Sequence, residues 1–430
     1  MDITYQNSLD FAQQLDAEDP LKKFRNEFHI PTDETGNEQL YFCGNSLGLQ
    51  PKKTQDYLQE ELNDWAKLGV EGHTDAKHPW MPYHEFLTEK MAKIVGAKPS
   101  ETVVMNTLTT NLHLLMVSFF RPTKTRYKIV IESDAFPSDK YAMESQLKFH
   151  DIDPKDGLIL WKPREGEDLC RFEDLEKIME EQGEEIALLM IGNTNYYTGQ
   201  FFPMKKITEL GHKHGCKVGF DLAHGAGNIF PDLHKNGPDF AVWCTYKYLN
   251  SGPGSLGGAF VHERHAENSE LKRFSGWWGH NKNTRFNMRK DFDAIPGAEG
   301  WQLSNPPILS MSAIRASLDL FDEAGFENLR EKSEKLTGYL EFLIEGLNND
   351  RIHIITPKKP EERGCQLSVQ VKNLPRRQAG ADKSLHQKLT EAGTITDWRE
   401  PDVIRVAPTP LYNSFEDVFQ FSEKLKEVLN

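Results

Sequence analysis

The chain has 430 residues and balances 51 Lys+Arg against 65 Asp+Glu, a formal charge of −14 that repels phosphate backbones and anionic membranes, so neither nucleic acid nor a membrane is an expected partner. Its length predicts more than one domain, and five cysteines at 43, 170, 216, 244 and 365, with no C-x-x-C pair, suggest neither a disulfide framework nor a zinc ribbon. An acidic start and a longest apolar run of only 112–120, broken by His113 and Ser118, give no secretory or membrane-spanning signal, and a soluble, cytoplasmic protein is expected.

In chain order, "KKTQDYLQEELNDWAKLG" places Tyr57, Leu58, Leu62, Trp65 and Leu68 at helical spacing. Short apolar runs then alternate with helical ones: "ETVVMN" (101–106) before "LTTNLHLLMVSFF", "YKIVIES" (127–133) before "FPSDKYAMESQLKF", "IALLMIGN" (186–193) before "MKKITELGHKHG", and then "KVGFDLAH" (217–224). This alternation predicts an α/β fold with a mostly parallel sheet sandwiched by helices. From about Ser304 the pattern changes to long amphipathic helices, "ILSMSAIRASLDLFDEAGF" and "RQAGADKSLHQKLTEAG", with "QLSVQV" and "DVIRVAP" as strands of a smaller α+β domain. "PKKPEERG" (357–364) reads as an exposed loop.

Ligands of open parallel sheets bind at the carboxyl ends of the strands. After "ETVVMN" stand Leu108, Thr109, Thr110 and Asn111, which make either an ordinary helix cap or a phosphate-suited helix start. "FPSD" (136–139) predicts a turn into a helix with Pro137 at its first position and Ser138 or Asp139 as cap. Asp221 ends an apolar run, with His224 three residues on; it either caps the next segment or needs a cation. After "FAVWC" comes Lys247, flanked by tyrosines and glycines that suggest backbone approach to something bound rather than a surface loop. An amine, an acid and phosphate donors at strand ends are the set that pyridoxal phosphate needs: an amine for a Schiff base, an acid to keep the ring nitrogen protonated, and donors for the phosphate.

Two rival motifs fail on context. "GPGSLG" (252–257) matches G-x-G-x-x-G, but a strand-like "GGAFVHE" follows it and Lys272 stands where an acid belongs. His212, His214 and Cys216 do not share one helix face, and Gly215 reads as a helix end, so no metal is expected.

Nine blocks resemble the kynureninase family in order over nearly the whole chain: "YFCGNSLGLQP" (41–51), "MNTLTTNLHLLMVSFFRPT" (105–123), "AFPSDKYAMESQL" (135–147), "YYTGQFF" (196–202), "VGFDLAHGAGN" (218–228), "CTYKYLNSGPG" (244–254), "GWWGH" (276–280), "LSNPPILS" (303–310) and "IRVAPTPLYN" (404–413). The resemblance implies a fold-type I, aspartate-aminotransferase-like pyridoxal-phosphate enzyme that cleaves L-kynurenine or 3-hydroxy-L-kynurenine hydrolytically between Cβ and Cγ, giving anthranilate or 3-hydroxyanthranilate and L-alanine. It further implies a homodimer with active sites at the interface and a place in tryptophan catabolism and NAD biosynthesis. The expected division is an N-terminal segment over 1–75 packing with the small domain, a large cofactor domain over 76–308 and a small domain over 309–430.

Carried over motif by motif, the resemblance makes Lys247 the Schiff-base lysine and Asp221 the partner of the ring nitrogen, with His224 helping to hold the cofactor. Leu108 and Thr109 bind phosphate, Tyr246 transfers protons, Phe136 covers the ring, and Pro137, Ser138 and Asp139 complete that contact. Trp277 and Asn305 reach the site from the partner chain; Arg405 grips the substrate carboxylate, and His73 and Asn305 meet the aryl end. The alternatives are a desulfurase or aminotransferase of the same fold; for a desulfurase only Cys365 stands in a loop-like context, with nothing around it that looks activating.

Overall fold

The computed structural model describes residues 3–268, 270–288, 290–372 and 384–429. Two compact units emerge, one of Thr54–Asn195 with Phe202–Asp319, the other of Met1–Lys53, Tyr196–Phe201 and Leu320–Asn430.

Among the described residues, the larger unit is built on seven strands: β1 (Thr102–Met105), β2 (Lys128–Glu132), β3 (Leu158–Trp161), β4 (Ile186–Gly192), β5 (Lys217–Asp221), β6 (Phe240–Cys244) and β7 (Gly257–Val261). They lie in the order β1-β7-β6-β5-β4-β2-β3, and β7 alone runs against its neighbours. The helices that position chemistry are α1 (Thr54–Leu68), α2 (Leu108–Phe119), α3 (Pro137–Phe149), α4 (Met204–Lys213) and α5 (Ile308–Ala324). Alternate strand residues Val103, Ile129, Leu188 and Val242 pack against Leu112, Leu115 and Met116 of α2 and Met143 and Leu147 of α3. The intervening Val104, Val130, Leu189 and Ala241 are fully buried on the opposite face. Burial on both faces explains why these strands read as unbroken apolar runs rather than alternating ones.

The smaller unit carries the antiparallel strands β8 (Ile352–Ile354), β9 (Leu367–Val371), β10 (Asp397–Arg399) and β11 (Val403–Val406) in the order β10-β11-β9-β8, with helices α6 (Phe326–Gly346), α7 (Ser384–Glu391) and α8 (Phe415–Leu429). The chain's start is built into it: Leu40–Tyr41 pairs in parallel with Thr394–Ile395, and Ala12 of the helix Leu9–Glu18 joins a core with Leu336, Tyr339, Phe415 and Phe421. The first part of the helix expected over 377–393 lies outside the described residues; α7 accounts for the rest.

The expected boundaries at 75/76 and 308/309 differ from the observed changeovers at 53/54 and 319/320, and 196–201 joins the smaller unit. Polar anchoring explains the first difference. Buried Glu61 of α1 accepts hydrogen bonds from Tyr83 Oη (2.6 Å) and Trp80 Nε1 (3.0 Å), while Glu60 pairs with Arg315 of α5 (2.9 Å), tying 54–75 to the larger unit. The apolar face read from spacing is not the inner one: Leu62 and Trp65 are 40 % and 60 % exposed, whereas Glu61 is 1 % exposed.

Candidate active site

Asp221 ends β5 and Cys244 ends the adjacent β6, so Asp221 and the turn bearing Tyr246 and Lys247 emerge side by side at the carboxyl edge of the sheet. Lys247 Nζ lies 3.1 Å from His224 Nε2 and 5.9 Å from the centroid of the Phe136 ring. Tyr246 is half-buried, and burial first, then the neighbouring Cys244, raises its pKa.

Below the lysine is a group of buried acids. Asp221 Oδ1 accepts the Ala223 N–H at 2.5 Å, closing the local turn, and Asp139 in the first turn of α3 is its buried neighbour. Burial, then the neighbouring Asp221 and Glu132, hold Asp139 well above the usual carboxylate range, which favours its protonated form beside Asp221. Burial likewise raises Asp221, against the pull of Ala223 N–H and Lys247. Glu132, at the end of β2, receives Gly192 N–H at 3.2 Å and is pushed up to about 8, chiefly by burial.

The start of α2 supplies a second kind of chemistry. Thr107 is the N-cap but makes no side-chain capping bond, leaving the first-turn N–H groups of Leu108 and its neighbours facing outward as at any helix start. Thr109 Oγ1 lies 3.0 Å from Ser138 Oγ, joining the N-termini of α2 and α3. Close approach of this end to β7 needs Gly257, where a Cβ would meet Trp243 O at 2.6 Å and Leu108 N at 3.1 Å. Pro137 opens α3 as expected, but neither Ser138 nor Asp139 caps it: Phe136 is the N-cap, and Asp139 turns inward to Asp221. Similarly, α2 begins after Thr107, so Thr109 and Thr110 are first-turn residues and not caps.

The other expected residues have the following surroundings. His73 lies in the turn Gly72–Asp75, with Nδ1 2.9 Å from Val70 O and its ring edge-on to Trp80. Trp277 is 44 % exposed, packs edge-on against Trp278 and Phe286, and donates Nε1–H to Arg285 O at 3.2 Å. Asn305 is exposed in the coil before α5. Arg405 belongs to the smaller unit, in β11, where it is 1 % exposed and bonded to Asp397, Ser46 and Tyr196 O. Glu132, Cys244 and Asp397 were outside the expected set. The signal for Glu132 was available: like Asp221, it is an acid at the end of an apolar strand.

An amine, a paired carboxyl beside it, an aromatic face and a helix start with two hydroxyls form a donor set that fits pyridoxal phosphate. Thiol chemistry has no comparable support. Cys365 is 1 % exposed, and burial pushes Cys43 up to about 12 and Cys216 up to about 11. His212 Nε2 lies 2.9 Å from Asp239 Oδ2.

The fold is similar to that of C-DES, solved as a variant with glycine covalently linked to its PLP cofactor: TM-score 0.77, 15 % identity, 94 % of this chain and 99 % of that one. Residues 329–425 match the kynureninase C-terminal domain family. The kynureninase of Myxococcus xanthus is 56 % identical, covering 98 % of this chain and 97 % of its own, and that of Koribacter versatilis is 54 % identical over 98 % and 97 %. The chain belongs to the kynureninase family.

Proposed function

We propose that the chain cleaves L-kynurenine or its 3-hydroxy derivative hydrolytically at Cβ–Cγ, releasing anthranilate or 3-hydroxyanthranilate and L-alanine, with Lys247 as the cofactor lysine. The observation that carries this reading is the Lys247 amine, 3.1 Å from His224 and next to the Asp221–Asp139 pair. When bound, pyridoxal phosphate supplies an electron sink conjugated to the substrate amine. Asp221, steadied by Asp139, holds the ring nitrogen's proton; Leu108 N–H, the Thr109 hydroxyl and Ser138 take the phosphate; Phe136 covers the ring with Pro137 beside it. His224 Nε2 shares one hydrogen bond with Lys247 Nζ and so orients the amine. Lys247 Nζ removes the Cα proton, and the Tyr246 hydroxyl relays protons as water adds to the γ-carbonyl and the Cβ–Cγ bond breaks. Arg405 takes the substrate carboxylate with its planar fork, and His73 and Asn305 meet the aryl group.

The same reading includes a homodimer in which Trp277 and Asn305 serve the partner's site. It is supported by the exposed apolar side chains Phe274, Trp277, Phe286, Met288 and Phe292, a patch of the kind that marks an association surface. Among the described residues no helix is long and apolar enough to cross a membrane, and a cytoplasmic role in tryptophan catabolism and NAD biosynthesis accompanies the activity.

The direct test is conversion of L-kynurenine to anthranilate by the cofactor-loaded protein, followed by fluorescence. Lys247→Ala is expected to lose the visible absorbance of the loaded protein and nearly all turnover. Borohydride labelling of that variant at the wild-type level would place the cofactor on another lysine. For the shared site, a mixed dimer of one Lys247→Ala chain and one chain altered at both Trp277 and Asn305 should regain one working site; a loaded but inactive mixed dimer would remove the partner-chain assignment.

A further inference from the structure

Arg405 in β11 and Asp397 in β10 are direct cross-strand partners in the antiparallel register, which puts both side chains on one face of the sheet. Asp397 Oδ2 accepts from Arg405 Nη2, from Ser46 Oγ and, at 2.9 Å, from Arg399 Nη2. Arg405 is held on two further sides, by Ser46 Oγ at 3.1 Å and Tyr196 O at 2.9 Å. Side-chain exposure rises from 1 % at Arg405 through 9 % at Asp397 to 36 % at Arg399, so the most buried cation is the one fixed by the most bonds. Two guanidiniums sharing one carboxylate leave a single positive charge, which one more carboxylate would neutralise.

We propose that Asp397 is a positioning residue for carboxylate recognition: it locks the Arg405 fork in one orientation and, by also engaging Arg399, matches the subsite to a substrate with one carboxylate. The proposal rests on Arg405 being the carboxylate anchor. It also gives the "GNSLG" and "YYTG" blocks a physical task, since Ser46 and Tyr196 come from them.

The opposite role is equally definite in its consequences: an Asp397 that masks Arg405 would compete with the substrate, and its removal would tighten binding. The experiment compares Asp397→Asn with wild type in the cofactor-loaded enzyme, reading KM and kcat for L-kynurenine and the inhibition constants of a non-reactive amino-acid analogue as free acid and as primary amide. Positioning predicts that KM and the acid's constant rise about tenfold, equivalent to about 1.4 kcal/mol. It also predicts that kcat stays within about threefold, the pattern of lost uniform binding, and that the amide's constant is unchanged. Tighter binding of the acid, or an equal loss for acid and amide, would overturn the proposal. Asp397→Glu, which keeps the charge but lengthens the arm, should weaken acid binding less than Asp397→Asn, and should the asparagine variant fail to fold, unchanged acid binding in the glutamate variant would overturn it. Arg405→Lys separates the two levels: if it cannot lower the preference for acid over amide, the anchor assignment itself fails, whatever Asp397 does.

Discussion

Asp139, in α3, and Asp221, ending β5, are buried neighbours: burial and then the Asp221 charge hold the Asp139 carboxyl well above the usual carboxylate range, so a protonated Asp139 has a hydrogen bond to offer the acid best placed to meet the cofactor ring. Asp139→Asn keeps a donor and should retain cofactor, whereas Asp139→Ala removes the bond. Hydrogen bonds to charged groups are worth about 1.5–3 kcal/mol, which sets an expected weakening of pyridoxal-phosphate binding between about tenfold and a hundredfold. Equilibrium dialysis of both variants measures it, and equal affinity in the two would show that the pair does not support the site.

Glu132 provides a pH prediction. Burial raises its pKa from an ordinary 4.5 to about 8, so between those values the folded protein binds a proton that the unfolded chain does not. Stability must therefore fall as pH rises through that window, by up to roughly 4 kcal/mol for this one group. Glu132→Gln removes the titration and keeps the shape, so urea unfolding at pH 5 and pH 8 should show a smaller decline than wild type. A decline as steep as wild type would assign the pH dependence to other groups.

At Gly257 a single methyl group would press on the backbone at Trp243 O and Leu108 N. Gly257→Ala should displace the start of α2 and weaken cofactor binding by about tenfold or more, as for loss of one or two charge-assisted bonds. Inorganic phosphate, used as a competitor of the cofactor, should weaken in parallel; if it binds as before, the helix start is not the phosphate site.

Glu61 organises Trp80, Tyr83 and Arg315 from inside the protein. Glu61→Ala leaves these donors facing a cavity and should cost about 3–5 kcal/mol in urea unfolding, as when one member of a buried ion pair is removed. Glu61→Gln, which still accepts from Trp80 and Tyr83, should cost less. Because His73 stacks edge-on to Trp80, the alanine variant should also alter the ratio of kynurenine to 3-hydroxykynurenine turnover.

What could be read in advance divides along physical lines. The strands ending at Met105, Asp221 and Cys244 were legible because both faces are buried, which leaves continuous apolar runs that stop at a polar or charged residue. Strands β8 and β10 were not, since three residues such as Asp397, Trp398 and Arg399 carry too short a pattern to show a period. The inner face of α1 was hidden for another reason: it is fixed by Glu61 and its donors, while periodicity counts only apolar side chains. The carboxyl pairing of Asp139 with Asp221 was also hidden, because it joins residues 82 positions apart through the packing of α3 on the sheet.

The pairing of Leu40–Tyr41 with Thr394–Ile395 has a temporal consequence. During synthesis the ribosome delivers the first strand of this pair more than 350 residues before the second. At roughly 5–20 residues per second, that segment waits on the order of half a minute with its edge and apolar side chains unmatched, among them Ala12 and Phe42. The larger unit, contiguous but for six residues, can condense in that interval. Folding of this chain is thus ordered by the calendar of its translation: the middle first, and the beginning only together with the end.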